Sequence, residues 1–129
     1  MKNKKIVISL FVILLILSAS SFVYAACYSA SGLYFDKGKS HKLEGNLGPE
    51  IYSTIKATQL IGTPEVNVKC QVKNGIFYSK GVSMDVRVTT LNANVYAIFK
   101  RNDPGVTRVT WKQTNDNASM IANITAYTN

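Results

Sequence analysis

The stretch Glu65–Gly75, EVNVKCQVKNG, alternates apolar and polar side chains at almost every step. Val66, Val68, Cys70 and Val72 share one phase, and Asn67, Lys69, Gln71 and Lys73 share the other. A period of two marks a half-buried strand, because successive side chains leave a pleated backbone on opposite faces. Downstream of residue 25 no run carries the apolar period of an amphipathic helix. Short β-rich runs take its place, at Cys27–Phe35, Ser40–Leu47, Ile51–Ile61, Val82–Val88, Val95–Lys100, Val106–Gln113 and Met120–Tyr127. Gly48-Pro49, Gly62-Thr63-Pro64 and Lys37-Gly38-Lys39 punctuate them as turns.

Seven to nine short strands without a helix imply an all-β fold. Each half-apolar sheet must cover its inner face with another layer, so the expectation is a small antiparallel β-sandwich. A closed small barrel is the alternative. Asn74-Gly75 between two apolar runs is a strong hairpin signal and, as a two-residue loop, sets Val72 opposite Phe77. The apolar phase then changes from odd (Phe77) to even (Val82, Met84, Val86, Val88), which calls for a glycine bulge near Lys80-Gly81 or a strand break there, the bulge being preferred. A second hairpin is expected across Val95–Lys100 and Val106–Gln113, turning at Asn102–Gly105. A four-residue loop puts Ile98 beside Val109 and Tyr96 beside Trp111; a three- or five-residue loop puts Phe99 on the face of Val109 and Trp111.

Residues 1–25 have the form of a secretory signal: Lys2, Lys4 and Lys5, then the apolar run Ile6–Leu17, then Val23 and Ala25 at the small-residue positions of a cut. The run is shorter than the roughly 20 residues a membrane-spanning helix needs. This divides the chain into a signal at 1–25 and one domain at 26–129, secreted or extracellular, with a lysine-rich leader of bacterial character. Loss of the three leader lysines lowers the net charge from +8 to +5. A moderately basic exported domain suits an anionic cell-wall polymer, a glycan or a membrane surface, and nucleic acid is disfavoured.

Cys27 and Cys70, both in the exported part, are expected to form one disulfide. The bridge would close a 44-residue loop. On chain-entropy grounds such a loop is worth about 4 kcal/mol. The alternative is a lipid anchor on Cys27, which follows Ala25-Ala26, although Tyr24 stands where such signals carry an aliphatic residue.

Catalytic chemistry finds little material. His41 is the sole histidine and has no nucleophile motif around it, so an exposed surface role is expected. The histidine and cysteine content cannot build a zinc site, Asp36, Asp103 and Asp116 form no calcium loop, and no phosphate-cradling glycine loop occurs. Glu44, Glu50, Glu65 and Asp85 read as turn or solvent-phase residues rather than an acid/base pair. The expectation is therefore a non-enzyme without catalytic residues, cofactor or metal. The candidate binding surface is the second hairpin, where Lys100, Arg101, Arg108 and Lys112 lie near Tyr96 and Trp111, with Trp111 also suited to the core. Tyr28, Tyr34, Tyr52, Tyr78 and Tyr127 are further candidates for stacking on sugars. Asn117-Ala118-Ser119 and Asn123-Ile124-Thr125 match the glycosylation acceptor pattern, the second in mid-strand.

These features favour an exported binding or envelope-associated module. A secreted antimicrobial or toxin-like protein and an extracellular protease inhibitor are the alternatives. The inhibitor would present Asn102–Gly105 or Gly62–Glu65 as its loop.

Overall fold

The computed structural model describes residues 26–100 and 105–128. The expected signal segment, Arg101 and most of the Asn102–Gly105 turn lie outside the described residues. The strands are β1 Cys27–Phe35, β2 Ser40–Leu47, β3 Glu50–Ile61, β4 Glu65–Asn74, β5 Phe77–Tyr78, β6 Val82–Arg87, β7 Asn94–Lys100, β8 Gly105–Gln113 and β9 Ser119–Tyr127. Among the described residues there is no helix.

The strands form two antiparallel sheets packed face to face, a sandwich and not a closed barrel. The first sheet has the order β1-β9-β3-β7. The second has the order β2-β8-β4, with β5 and β6 both pairing the far edge of β4. Every connection except β4–β5–β6 passes from one sheet to the other, the strand order of a jelly roll. β1 lies against β2 at one side of the sandwich and β7 against β6 at the other.

Alternation along each strand fills the space between the sheets. Met120, Ala122, Ile124 and Ala126 of β9 face Val109 and Trp111 of β8 across a core that also holds Phe35, Ile51, Ile55, Val66 and Val68. Trp111 is completely buried. Removing such side chains from water is the main driving force for a fold of this kind. Two polar atoms, Trp111 Nε1 and Ser53 Oγ, are buried without a hydrogen-bond partner among the described residues.

The Asn-Gly hairpin forms in a different register. Asn74 pairs with Phe77 and Lys73 with Tyr78, so the loop is Gly75-Ile76. Gly75 has φ +66° and no positive φ occurs at Ile76. A glycine at the first loop position with positive φ fits a type II′ turn, whereas Asn74-Gly75 as the loop would need positive φ at both residues. Past Tyr78 the ladder stops at Ser79–Gly81 and resumes with Cys70 opposite Val82, one residue out of step. The phase therefore changes as a bulge would change it, but through a strand break, and the single long strand preferred from the sequence is two strands. Gly81 makes the break possible: its φ is +78° and a Cβ there would lie 2.5 Å from the Cys70 carbonyl oxygen.

The second expected hairpin does not exist. β7 pairs with β3 in the first sheet and β8 with β2 and β4 in the second. Phe99 does share the core with Val109 and Trp111, but from the opposite sheet. The disulfide is also absent. Cys27 opens β1 with its side chain exposed, level with Tyr127, whereas Cys70 points inward from β4 of the other sheet. Packed sheets stand about 10 Å apart. A disulfide needs Cα atoms within about 7 Å and converging Cβ directions. His41 is half-buried rather than a surface group: its ring meets Phe35 edge-on at 4.7 Å and its Nε2 donates to the Tyr34 carbonyl at 2.8 Å.

Candidate functional site

The outward phase of the first sheet is as regular as its inward phase. Reading across β1, β9, β3 and β7, register places Cys27, Tyr127, Tyr52 and Ile98 in one row and Ser29, Thr125, Thr54 and Tyr96 in the next. A third row holds Asn123, Lys56 and Asn94, with Ser31-Gly32 of β1 opposite Asn123. Adjacent strands are about 4.8 Å apart, so each row presents side chains at the spacing of hydrogen-bonding groups on a small ligand.

Two irregularities border the third row. β1 carries an extra residue between Ala30 and Leu33, and β3 carries one between Ala57 and Gln59. Both flank Ala122 of β9. Bulges bend the strand that carries them. Gly32, at φ +67°, turns the β1 bulge, and its N–H donates to Asn123 Oδ1 at 2.9 Å. Thr58 Oγ1 secures the other by donating to the Ile121 carbonyl at 3.2 Å.

Between the bulges and the tyrosine row lies a groove of about 390 Å³. Its lining is Ser29, Ser31, Thr54, Lys56, Asn94, Tyr96, Asn123, Thr125 and Tyr127. Ligand sites of small-molecule size span roughly 300–1,000 Å³. Thr54, although on the outward phase, is only 5% exposed and forms part of the floor. Tyr96 stands 49% exposed at the β7 edge. Tyr127 stacks on Tyr52 with centroids 5.2 Å apart. Lost hydration raises the Tyr127 hydroxyl above its ordinary value, and the neighbouring Tyr96 hydroxyl adds to the effect. Tyr52 is raised chiefly by donating to Glu50 Oε1 at 2.7 Å. At neutral pH both remain neutral hydroxyls able to donate and accept.

The residues proposed from sequence as one basic surface are scattered. Tyr96 and Lys100 lie on β7 at the edge of the first sheet, and Arg101 is outside the described residues. Arg108 and Lys112 are on the outer face of the second sheet. Arg108 is committed there: its Nε donates to Glu44 Oε1 at 2.8 Å, and its guanidinium lies 3.8 Å from the Tyr78 ring centroid. That contact, with Lys42 beside it, holds the Glu44 carboxyl below its usual range. Trp111 is in the core and cannot touch a ligand. Among the tyrosines, Tyr127 and Tyr52 serve the groove row, whereas Tyr28 packs over Gly45 and accepts from Asn46 N–H.

The groove residues that sequence reading missed are Ser29, Ser31, Thr54, Lys56, Asn94, Asn123 and Thr125. Each is legible as the polar phase of its strand. What was missing is the strand order that sets β1, β9, β3 and β7 side by side.

A second concavity of about 220 Å³ opens where β6 and β7 meet, with Val82, Met84, Ile98 and Phe99 on its walls and Lys100 at its rim. Among the described residues no group of three His, Cys, Asp or Glu side chains is placed to hold a metal.

Fold and groove together define a β-sandwich protein with a polar, tyrosine-rimmed outer sheet face. The sequence matches no protein-family model and no curated protein. Among solved structures the fold is similar to a Yersinia pseudotuberculosis-derived mitogen, with TM-score 0.51 and 10% identity over 81% of this chain and 87% of that one. It is also similar to a family two carbohydrate esterase from Cellvibrio japonicus, with TM-score 0.51 and 11% identity over 81% of this chain. The chain spans 34% of that esterase. At such identities the likeness is one of fold.

Proposed function

We propose that the protein is an exported, non-enzymatic binding module that takes carbohydrate in the groove of its first sheet. The observation that carries this reading is the lining itself. Hydroxyls from Ser29, Ser31, Thr54 and Thr125, amides from Asn94 and Asn123, and the exposed Tyr96 ring beside Tyr127 converge on one concavity. Sugars present alternating hydroxyls and apolar ring faces. Hydroxyl and amide side chains match the first, and tyrosines, which are flat with a polar tip, match the second.

The groove lies on strands, not loops, so its side chains are held by the ladders beneath them. Export rests on the leader-like residues 1–25, and a lipid anchor through Cys27 is the alternative mode of retention. Cys27 is exposed, as such an attachment requires. The inhibitor alternative loses support from the Gly62–Glu65 turn: Pro64 is buried, and the Thr63 and Pro64 carbonyls accept from Asn115 and Val88, so the turn is held down.

The test is retention on purified cell wall and on a glycan array. Wild type should be retained, and Tyr96→Ala with Tyr127→Ala should abolish retention while the fold persists by circular dichroism. Wild-type protein that binds nothing on either support would end the proposal.

A further inference from the structure

The groove has one formal charge. Of its nine lining residues Lys56 alone has a formally charged side chain. Lys56 projects from the third register position of the outward phase of β3, half-buried, with Asn123 on one side and Asn94 on the other. It makes no ion pair with any described carboxylate. The acidic residue of β3 on the same face, Glu50, is six residues away and is engaged by the Tyr52 hydroxyl. At a strand's rise that separation is about 20 Å, well beyond the screening length of physiological salt.

With no described carboxylate beside it, the Lys56 ammonium is available to an anionic ligand. Its neighbours in the lining all carry groups that can donate. Asn123 spends its Oδ1 on the Gly32 N–H, which leaves the Nδ2 hydrogens for a ligand. The lysine supplies three N–H donors and no acceptor. The serine and threonine hydroxyls of the lining can turn to donate. A donor-rich pocket around a single positive charge is complementary to an acceptor-only group of charge −1. A phosphate monoester carries about −1.5 to −2 at neutral pH, more than the single lysine of the lining offsets.

We propose that the groove selects acidic sugars, with a uronate-type carboxylate seated on Lys56 between Asn94 and Asn123 and the sugar ring against Tyr96 and Tyr127. This rests on the carbohydrate reading of the same groove and adds the class of carbohydrate. Lys56 is the specificity-determining residue, and the tyrosines supply affinity common to acidic and neutral sugars.

The experiment measures binding of uronic-acid oligosaccharides and of their carboxyl-reduced counterparts, with the matching sugar phosphates as a third arm. Wild type should prefer the carboxylate over its reduced form by about tenfold, the ratio that a charge-assisted hydrogen bond supports. The preference should shrink as salt rises. Lys56→Gln should bring acidic and reduced sugars to parity, and Lys56→Arg should keep the preference. Tyr127→Ala should weaken both. Equal wild-type binding of acidic and reduced sugars overturns the Lys56 assignment and leaves the carbohydrate reading standing. Tighter binding of the phosphates overturns the carboxylate assignment. Binding of none of the three overturns both readings.

Discussion

Tyr127 lies nearly parallel to Tyr52, with ring centroids 5.2 Å apart and planes 15° from parallel, across neighbouring strands of one sheet. The pair ends the groove on one side and ties β9 to β3 there. Aromatic pairs of this kind add to stability beyond the area they bury. Both hydroxyls hold their protons more tightly than an ordinary tyrosine. A group whose folded pKa is raised contributes stability below its unfolded value and loses it as pH rises through the folded one. The melting temperature should therefore fall above about pH 10, the ordinary tyrosine value. Tyr52→Phe and Tyr127→Phe should each lessen that alkaline loss; equal slopes in wild type and both variants would count against the assignment.

Neither cysteine holds the sandwich through a bridge to the other, so reductant should leave the melting temperature unchanged. Cys27→Ser should be neutral, its side chain being exposed. Cys70→Ser should destabilise by about 1–3 kcal/mol, because a hydroxyl replaces a thiol at a buried position facing Val109 and Val82. Intact mass under non-reducing conditions reads the same point independently: the two-hydrogen deficit of a bridge should be missing.

Gly75 and Gly81 separate two costs. A Cβ at Gly75 meets nothing within 4 Å, so Gly75→Ala should cost only the left-handed backbone, about 1–2 kcal/mol. Gly81→Ala adds a collision with the Cys70 carbonyl and should cost more by denaturant unfolding. Equal losses would mean that β4 and the 79–81 break separate freely.

Ser53 Oγ is buried on β3 without a hydrogen-bond partner among the described residues, facing Ala97. An unsatisfied buried hydroxyl costs about 1–3 kcal/mol. Ser53→Ala should therefore raise stability by about 1 kcal/mol; a loss would show that the hydroxyl is engaged in solution.

The strands were legible because period-two patterning is local. Cys27–Phe35 and Ser40–Leu47 appear in the structure with the bounds their sequence implies, and the inward phase of β9 is the one its Met120-Ala122-Ile124-Ala126 series requires. Pairing was legible only where the chain turns directly back, at Gly75-Ile76. A jelly roll sends its other connections across to the opposite sheet, so β7 and β8, neighbours in sequence, share a core without sharing a ladder. That single fact dissolved the basic hairpin. It also hid the groove, whose residues come from strands as far apart in sequence as Ser29 and Thr125. The disulfide inference failed for a related reason: cysteine count and compartment say nothing about which side of a strand a thiol occupies, and Cys27 falls on the outward phase.

The most direct test of the groove is an amide chemical-shift map recorded while the protein is titrated with the oligosaccharide best retained on the array. Shifts should concentrate on β1, β9, β3 and β7 at Ser29, Thr54, Lys56, Asn94, Tyr96, Asn123 and Thr125. Shifts centred instead on Arg108 and Lys112 of the second sheet, or on the Gly62–Glu65 turn, would contradict it.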